Sequence, residues 1–352
     1  MRGLAVVIMI QCHATNSFVR MDLRNDGPYV MAQFIGGMAA PLFLFMAGMT
    51  LGFQMESLQK REPSWRRRWL VALGRAGYIM GIAMAFRLTN WIGSYPHGDA
   101  GEITRVDILN CMAVAMAAFS VAAAVGSGQR ARFAAAGALL VAVASPVMAN
   151  LGWDGAPPLL KEYLVPGAGR GHFPFFPCAS YVGFGLAAGV LVKRTAEERM
   201  DRLMQWCAMI GLAVAFVSQY FSNLPYSVYP QSNFWTDSPA LILIRTGIIL
   251  AFLAGSYVWT EYCVRPAWSW MQTLGKASLL VYWVHVIMVY GSLAKPVKRT
   301  MTMPQALVAT AVLTALMVVL AEARLRWAAR RKGRSRAATS VAGSSVVPQT
   351  SG

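Results

Sequence analysis

His13 and His285 are two of only four histidines in a chain of 352 residues, and both stand in stretches otherwise fit for lipid. The first closes the run Arg2-Gly3-Leu4-Ala5-Val6-Val7-Ile8-Met9-Ile10-Gln11-Cys12-His13. The second closes Leu274-Gly275-Lys276-Ala277-Ser278-Leu279-Leu280-Val281-Tyr282-Trp283-Val284-His285. An ionisable side chain at membrane depth is costly and marks a functional site by default. Histidine changes charge near neutral pH, so it can act as a general base or carry protons. Each of the two, taken alone, can equally be a packing histidine with a satisfied hydrogen bond. What stands with them decides the matter.

Other polar residues gather at one side of the apolar segments. Arg87 and Asn90 fall near the outer end of one segment, Asp107 and Asn110 open the next, and Gln33 lies one turn into another. Arg245 sits eight residues, or roughly 12 Å, beyond Asp237. His97 and His172 fall in outward loops. Bland readings exist: Arg87 and Asp107 can pair with each other, and Arg245 can snorkel. Together they suggest a lined cavity with His13, His285 and Asp107 as catalytic candidates. Arg87, Asn110, Arg245 and His172 are the candidates for binding substrate or donor.

The elements that hold these residues are read from composition. Of all residues 56% are hydrophobic and 13% charged, against about 25% charged in a soluble domain. Ten apolar segments of spanning length can be drawn, at 3–19, 29–53, 70–92, 107–125, 132–150, 175–192, 203–221, 239–259, 272–293 and 304–323. The expectation is an all-α, polytopic membrane helix bundle of about ten transmembrane helices. The first segment resembles a signal peptide, but no small-x-small site follows, so it is read as a retained helix. At about 1.5 Å per residue, His13 rises roughly 16 Å above Arg2, and His285 equally above Leu274.

The net charge of +17 comes from 32 Lys and Arg against 15 Asp and Glu. Those cations cluster in alternate loops: Lys60 to Arg68, Arg130 with Arg132, Lys193 to Arg202, Arg265, and Arg324 to Arg336; the intervening loops hold little positive charge apart from Lys295, Lys298 and Arg299. That spacing argues for the positive-inside rule, with both termini cytoplasmic, and against nucleic acid as a partner. A transmembrane domain over 1–323 is expected, followed by a basic and then disordered tail over 324–352. The five cysteines show no Cys-x-x-Cys pair and read as small buried hydrophobes, so no structural metal is expected. Gly36-Gly37 and Gly48-x-x-x-Gly52 read as sites of close helix approach. The glycine-rich stretch 167–171 before His172 reads as a flexible turn.

These motifs occur in an order that resembles membrane acyltransferases of the heparan-alpha-glucosaminide N-acetyltransferase type and related bacterial multi-spanning acyltransferases. The likeness is carried by Arg2-Gly3-Leu4-Ala5 running to His13, Pro41-Leu42-Phe43-Leu44-Phe45-Met46-Ala47-Gly48, and Arg105-Val106-Asp107-Ile108-Leu109-Asn110. Phe173-Pro174-Phe175-Phe176-Pro177 and the run from Leu274 to His285 continue it. It implies acetyl-CoA or another acyl-CoA as co-substrate, taken from the cytoplasm, and an acceptor on the far side. It also implies a first-helix histidine as catalytic base or acyl relay, which maps onto His13. An Asp that the family carries before Arg-Gly would lie ahead of Met1.

The expected function is therefore acyl transfer to an amine or hydroxyl of a sugar-containing acceptor, in a bacterial inner membrane, with homo-oligomerisation left open. Here His13 would take the acceptor's proton and His285 would be a second base or position the acceptor. Asp107 would orient a histidine or pair with Arg87, and Arg245 would meet donor phosphate or an oxyanion. The competing expectation is a proton-coupled transporter or exporter that uses the same groups as a relay. Inverted repeats and paired broken helices, which transporters often carry, are not evident.

Overall fold

The computed structural model describes residues 1–93, 99, 101–165, 172–263 and 268–344, with the backbone alone at 102, 263, 292, 293 and 332–344. His97, the glycine-rich stretch 167–171, Arg265 and the end of the tail lie outside the described residues. Fourteen α-helices follow one another among those described: α1 (Arg2–Phe18), α2 (Gly27–Gly36), α3 (Ala39–Gln59), α4 (Trp65–Gly93) and α5 (Gly101–Thr104). Next come α6 (Ile108–Phe119), α7 (Ser127–Asn150), α8 (Pro158–Leu164), α9 (Phe175–Arg194) and α10 (Met200–Ser222). The last are α11 (Pro239–Val258), α12 (Trp270–Lys276), α13 (Ser278–Tyr290) and α14 (Met303–Ser344). Beside them the described residues hold a single parallel bridge, Val19 with Met301, and no strand.

Seven helical stretches among the described residues are long and apolar enough to cross a membrane, Gly27–Gln59 being taken as one. An eighth is the pair α12 and α13 if they form one span, although they meet at a bend of 89°. The remaining two expected segments fold as shorter helices: α1 has 17 residues, and α6 with the turn after it covers Ile108–Ala123. The unbroken helix expected over 272–293 is not found. His285 is seven residues into α13, a rise of roughly 10 Å that replaces the depth reckoned from Leu274. No proline marks the break, which falls at Gly275-Lys276-Ala277-Ser278. Beyond its apolar part, α14 continues to Ser344.

The chain divides into two compact units, Gly37–Pro266 and the pair of ends Arg2–Gly36 with Ala267–Gly352. In the first unit the central contact is α3 against α9, made at backbone level. A Cβ on Gly48 would strike the Val182 carbonyl, and one on Gly185 the Phe45 carbonyl. One turn on, Gly52 and Gly189 repeat the arrangement against Leu186 and Met49. Small residues spaced by four let helix backbones approach where lipid supplies no hydrophobic drive. The motif Gly48-x-x-x-Gly52 thus meets a second one, Gly185-x-x-x-Gly189, that the sequence reading did not single out. Gly185→Leu should force the helices apart and cost about 1–3 kcal/mol or more. Gly74→Leu, where nothing lies within 4 Å of an added Cβ, should leave the thermal melt of the detergent-solubilised protein unchanged.

Two arginines of the basic clusters are not surface loop charges. Arg130 is wholly enclosed; its Nε donates to the Ala122 carbonyl at 3.0 Å, and its Nη2 to Val125 at 2.9 Å and to Gln59 Oε1 at 2.7 Å. Its Nη1 pairs with the buried Glu56 carboxylate. Arg68, also buried, donates to the carbonyls of Ala123, Glu62 and Pro63. The carbonyls of Ala122, Ala123 and Val125 close the turn that follows α6, and these guanidinium groups donate to them there. Lys60, Arg61, Arg66, Arg67 and Arg132 remain exposed.

The second unit is assembled from the two ends of the chain. Here α1 packs on α2, α12, α13 and α14. Gly3 lies against the Met271 carbonyl, and a Cβ on Gly275 would come 3.0 Å from the Gly3 nitrogen. At the other end of α1, Met301 N donates to Phe18 O at 2.9 Å and Arg20 N to Met301 O at 3.0 Å. Arg24 caps that end through Asn16 O at 2.6 Å, while Lys298 Nζ caps α13 on Tyr290 O at 2.7 Å. Cations belong at helix C-termini on dipole grounds. Arg20 donates two hydrogen bonds to Asp22 and holds its carboxyl below the ordinary range. Both are about half exposed, so the pair contributes little to stability.

Candidate active site

These clasps fix α1 beside α13 and bring the two membrane histidines together. His13 Nδ1 lies 2.9 Å from His285 Nε2. The ring planes are 8° apart with centroids 5.1 Å apart. That separation exceeds the N···N distance by about two ring radii, so the rings meet edge to edge in nearly one plane rather than face to face. His285 is wholly buried, and its Nδ1 is 2.7 Å from the Val281 carbonyl one turn back. His13 is only partly covered.

Tyr290 flanks His13 edge-on at 5.4 Å between centroids and accepts a long bond, 3.5 Å, from the exposed Asn16 amide. Gln33 donates to Thr15 Oγ1 at 3.2 Å, and Thr15 back-bonds to Gln11 O and Cys12 O. The polar face of α1 around His13 is therefore tied down on both sides. Gly36 contributes by lying against Cys12, which lets α2 approach α1 closely.

The remaining sequence candidates belong to the unit Gly37–Pro266. Asp107 caps α6: its Oδ1 accepts from Leu109 N at 3.0 Å, and its own N–H donates to Asn110 Oδ1 at 3.3 Å. Its other oxygen pairs with Arg87 at 2.9 Å, both side chains being nearly enclosed. Asn110 is fully buried and donates to Tyr163 Oη at 3.1 Å. His172 is exposed, receives Arg105 Nη2 on its Nε2 at 2.6 Å, and donates its backbone N–H to Val106 O. Arg245 interacts with the buried Tyr181 hydroxyl, while its Nε is buried with no hydrogen-bond partner.

Tyr290, Asn16, Tyr163 and the Val281 carbonyl were missed in sequence. A faint signal existed for Tyr290, which follows His285 by five residues in the same apolar run. Among the described residues no three His, Cys, Asp or Glu side chains group as metal ligands.

Seven apolar helical stretches of spanning length among the described residues define a multi-pass membrane protein, and one of its two units holds a hydrogen-bonded imidazole pair. The chain belongs to the acyltransferase domain family (acyltransferase 3), whose profile matches residues 1–322, and it is a membrane-bound acyltransferase. No curated protein matches it. Family membership decides between the two classes weighed in the sequence and leaves the transporter reading without support.

Proposed function

We propose that the protein moves an acetyl or acyl group from cytoplasmic acyl-CoA to an amine or hydroxyl of a sugar-containing acceptor on the far side of a bacterial inner membrane. The observation that carries this is the pair His13 and His285, with His13 partly open and His285 sealed behind it. In the reaction His13 takes the proton of the acceptor O–H or N–H as that atom attacks the thioester carbonyl. The new bond to the acyl carbon forms, the C–S bond breaks, and the thiolate leaves with the proton held by His13. The ordered likeness to heparan-type acetyltransferases supports a sugar acceptor. The basic clusters support cytoplasmic termini. Within the unit Gly37–Pro266, Arg87, Asn110, His172 and Arg245 are assigned to binding donor or acceptor, while Asp107, the third catalytic candidate, pairs with Arg87.

The test is transfer of label from radiolabelled acetyl-CoA by the purified protein in lipid vesicles, with cell-envelope glycans as acceptors. Labelled glycan that depends on the protein supports the reading. Absence of acetyl-CoA binding, together with no transfer to any glycan, overturns it.

A further inference from the structure

The pair carries more than proximity, because its protons can be placed. A neutral imidazole has one N–H and one lone pair. The Val281 carbonyl can only accept, so the proton of His285 sits on Nδ1, 2.7 Å away. Nε2 of His285 is then the lone-pair nitrogen, and across 2.9 Å the Nδ1 of His13 must be the donor. That leaves the lone pair of His13 on Nε2, directed away from its partner. The near-coplanar rings give the N–H···N bond a straight path. Each step follows from the one before it, starting at a backbone group that no side-chain titration can alter.

We propose that His285 is a positioning residue: anchored on the Val281 carbonyl, it accepts from His13 and thereby fixes the His13 tautomer and ring orientation, with Nε2 as the free base. It does not touch the substrate. The arrangement parallels the orienting partner of a catalytic histidine in hydrolytic triads, with an imidazole where a carboxylate usually stands. A neutral orienter suits a membrane interior, where a buried carboxylate would cost more. This inference rests on the proposed role of His13 as base.

Three variants test it. His285→Gln keeps an acceptor oxygen near the place of Nε2, whereas His285→Leu keeps the volume and removes the acceptor. Expected is a fall in kcat of about 10²-fold or more for His285→Leu with KM little changed, and a kcat within about tenfold of wild type for His285→Gln. Adding His285→Leu to His13→Ala should lower activity no further, since partners that act as a unit are non-additive. A second readout does not need turnover: the rate at which diethyl pyrocarbonate modifies His13, mapped by peptide mass. It should drop in folded His285→Leu and stay near wild type in His285→Gln. Equal losses in both variants, additive losses in the double variant, or unchanged His13 reactivity in His285→Leu would each overturn the proposal. A wild-type protein that transfers nothing but shows the reactivity pattern would instead count against the acyl-CoA reading alone.

Discussion

His13→Ala should reduce acyl transfer by about 10³-fold or more in kcat while the protein still folds. A general base supplies about 10²–10⁴-fold, and His13 holds that role alone, because His285 is sealed behind it. Folding should survive because His13 is only partly covered and its neighbours Gln11, Cys12 and Thr15 keep their own hydrogen bonds. The one buried group left without a partner is the Nε2 acceptor of His285, a cost of about 1–3 kcal/mol. The check is a thermal melt beside a single-turnover transfer assay. A variant that melts like wild type and transfers at more than a tenth of its rate would remove His13 from the chemistry.

The second large effect is structural. Arg130→Met should destabilise the unit Gly37–Pro266 by about 3–5 kcal/mol, because removing one partner leaves the buried Glu56 carboxylate uncompensated. It also strips donors from the Ala122 and Val125 carbonyls. Pairing it with Glu56→Gln should recover part of the loss by removing the stranded charge, although the guanidinium's bonds to the carbonyls stay lost. Arg132→Met, on the exposed side of the same helix, should change stability by no more than about 0.5 kcal/mol. Unfolding in detergent, followed by tryptophan fluorescence, distinguishes the three variants. If Arg130→Met and Arg132→Met melt alike, the buried pair contributes nothing to the fold.

Arg130 also shows where sequence reasoning stopped. An arginine pair after an apolar run reads as cytoplasmic loop charge under the positive-inside rule, and nothing in its neighbours reveals that Glu56 folds back to meet Arg130. The helices themselves were legible, since apolar length alone picks out the seven long stretches. The turn at Ala277 was not. Gly275-Lys276-Ala277-Ser278 contains no proline, and the close approach of Gly275 to Gly3 at the bend joins residues too far apart in sequence to be read.

Within the site, the two histidines could be singled out as costly residues in lipid. Their pairing could not, because no spacing rule links positions so far apart. The Val281 carbonyl was beyond reach for another reason: a backbone acceptor has no residue type to read. Asp107 drew attention as an acid at depth, and the structure places it in a helix cap and an ion pair with Arg87.

The histidine pair joins residues 272 positions apart in sequence, and every helix of the unit Gly37–Pro266 is made in between. At about 5–20 residues per second of synthesis, α1 stays in the membrane for roughly 15–50 s before α13 exists. During that time its polar face, with Gln11, His13 and Thr15, has α2 of its own unit beside it but not α13. The reactive pair thus comes into being among the last events of biosynthesis, and a chain truncated before α13 has one of the two rings but no partner for it.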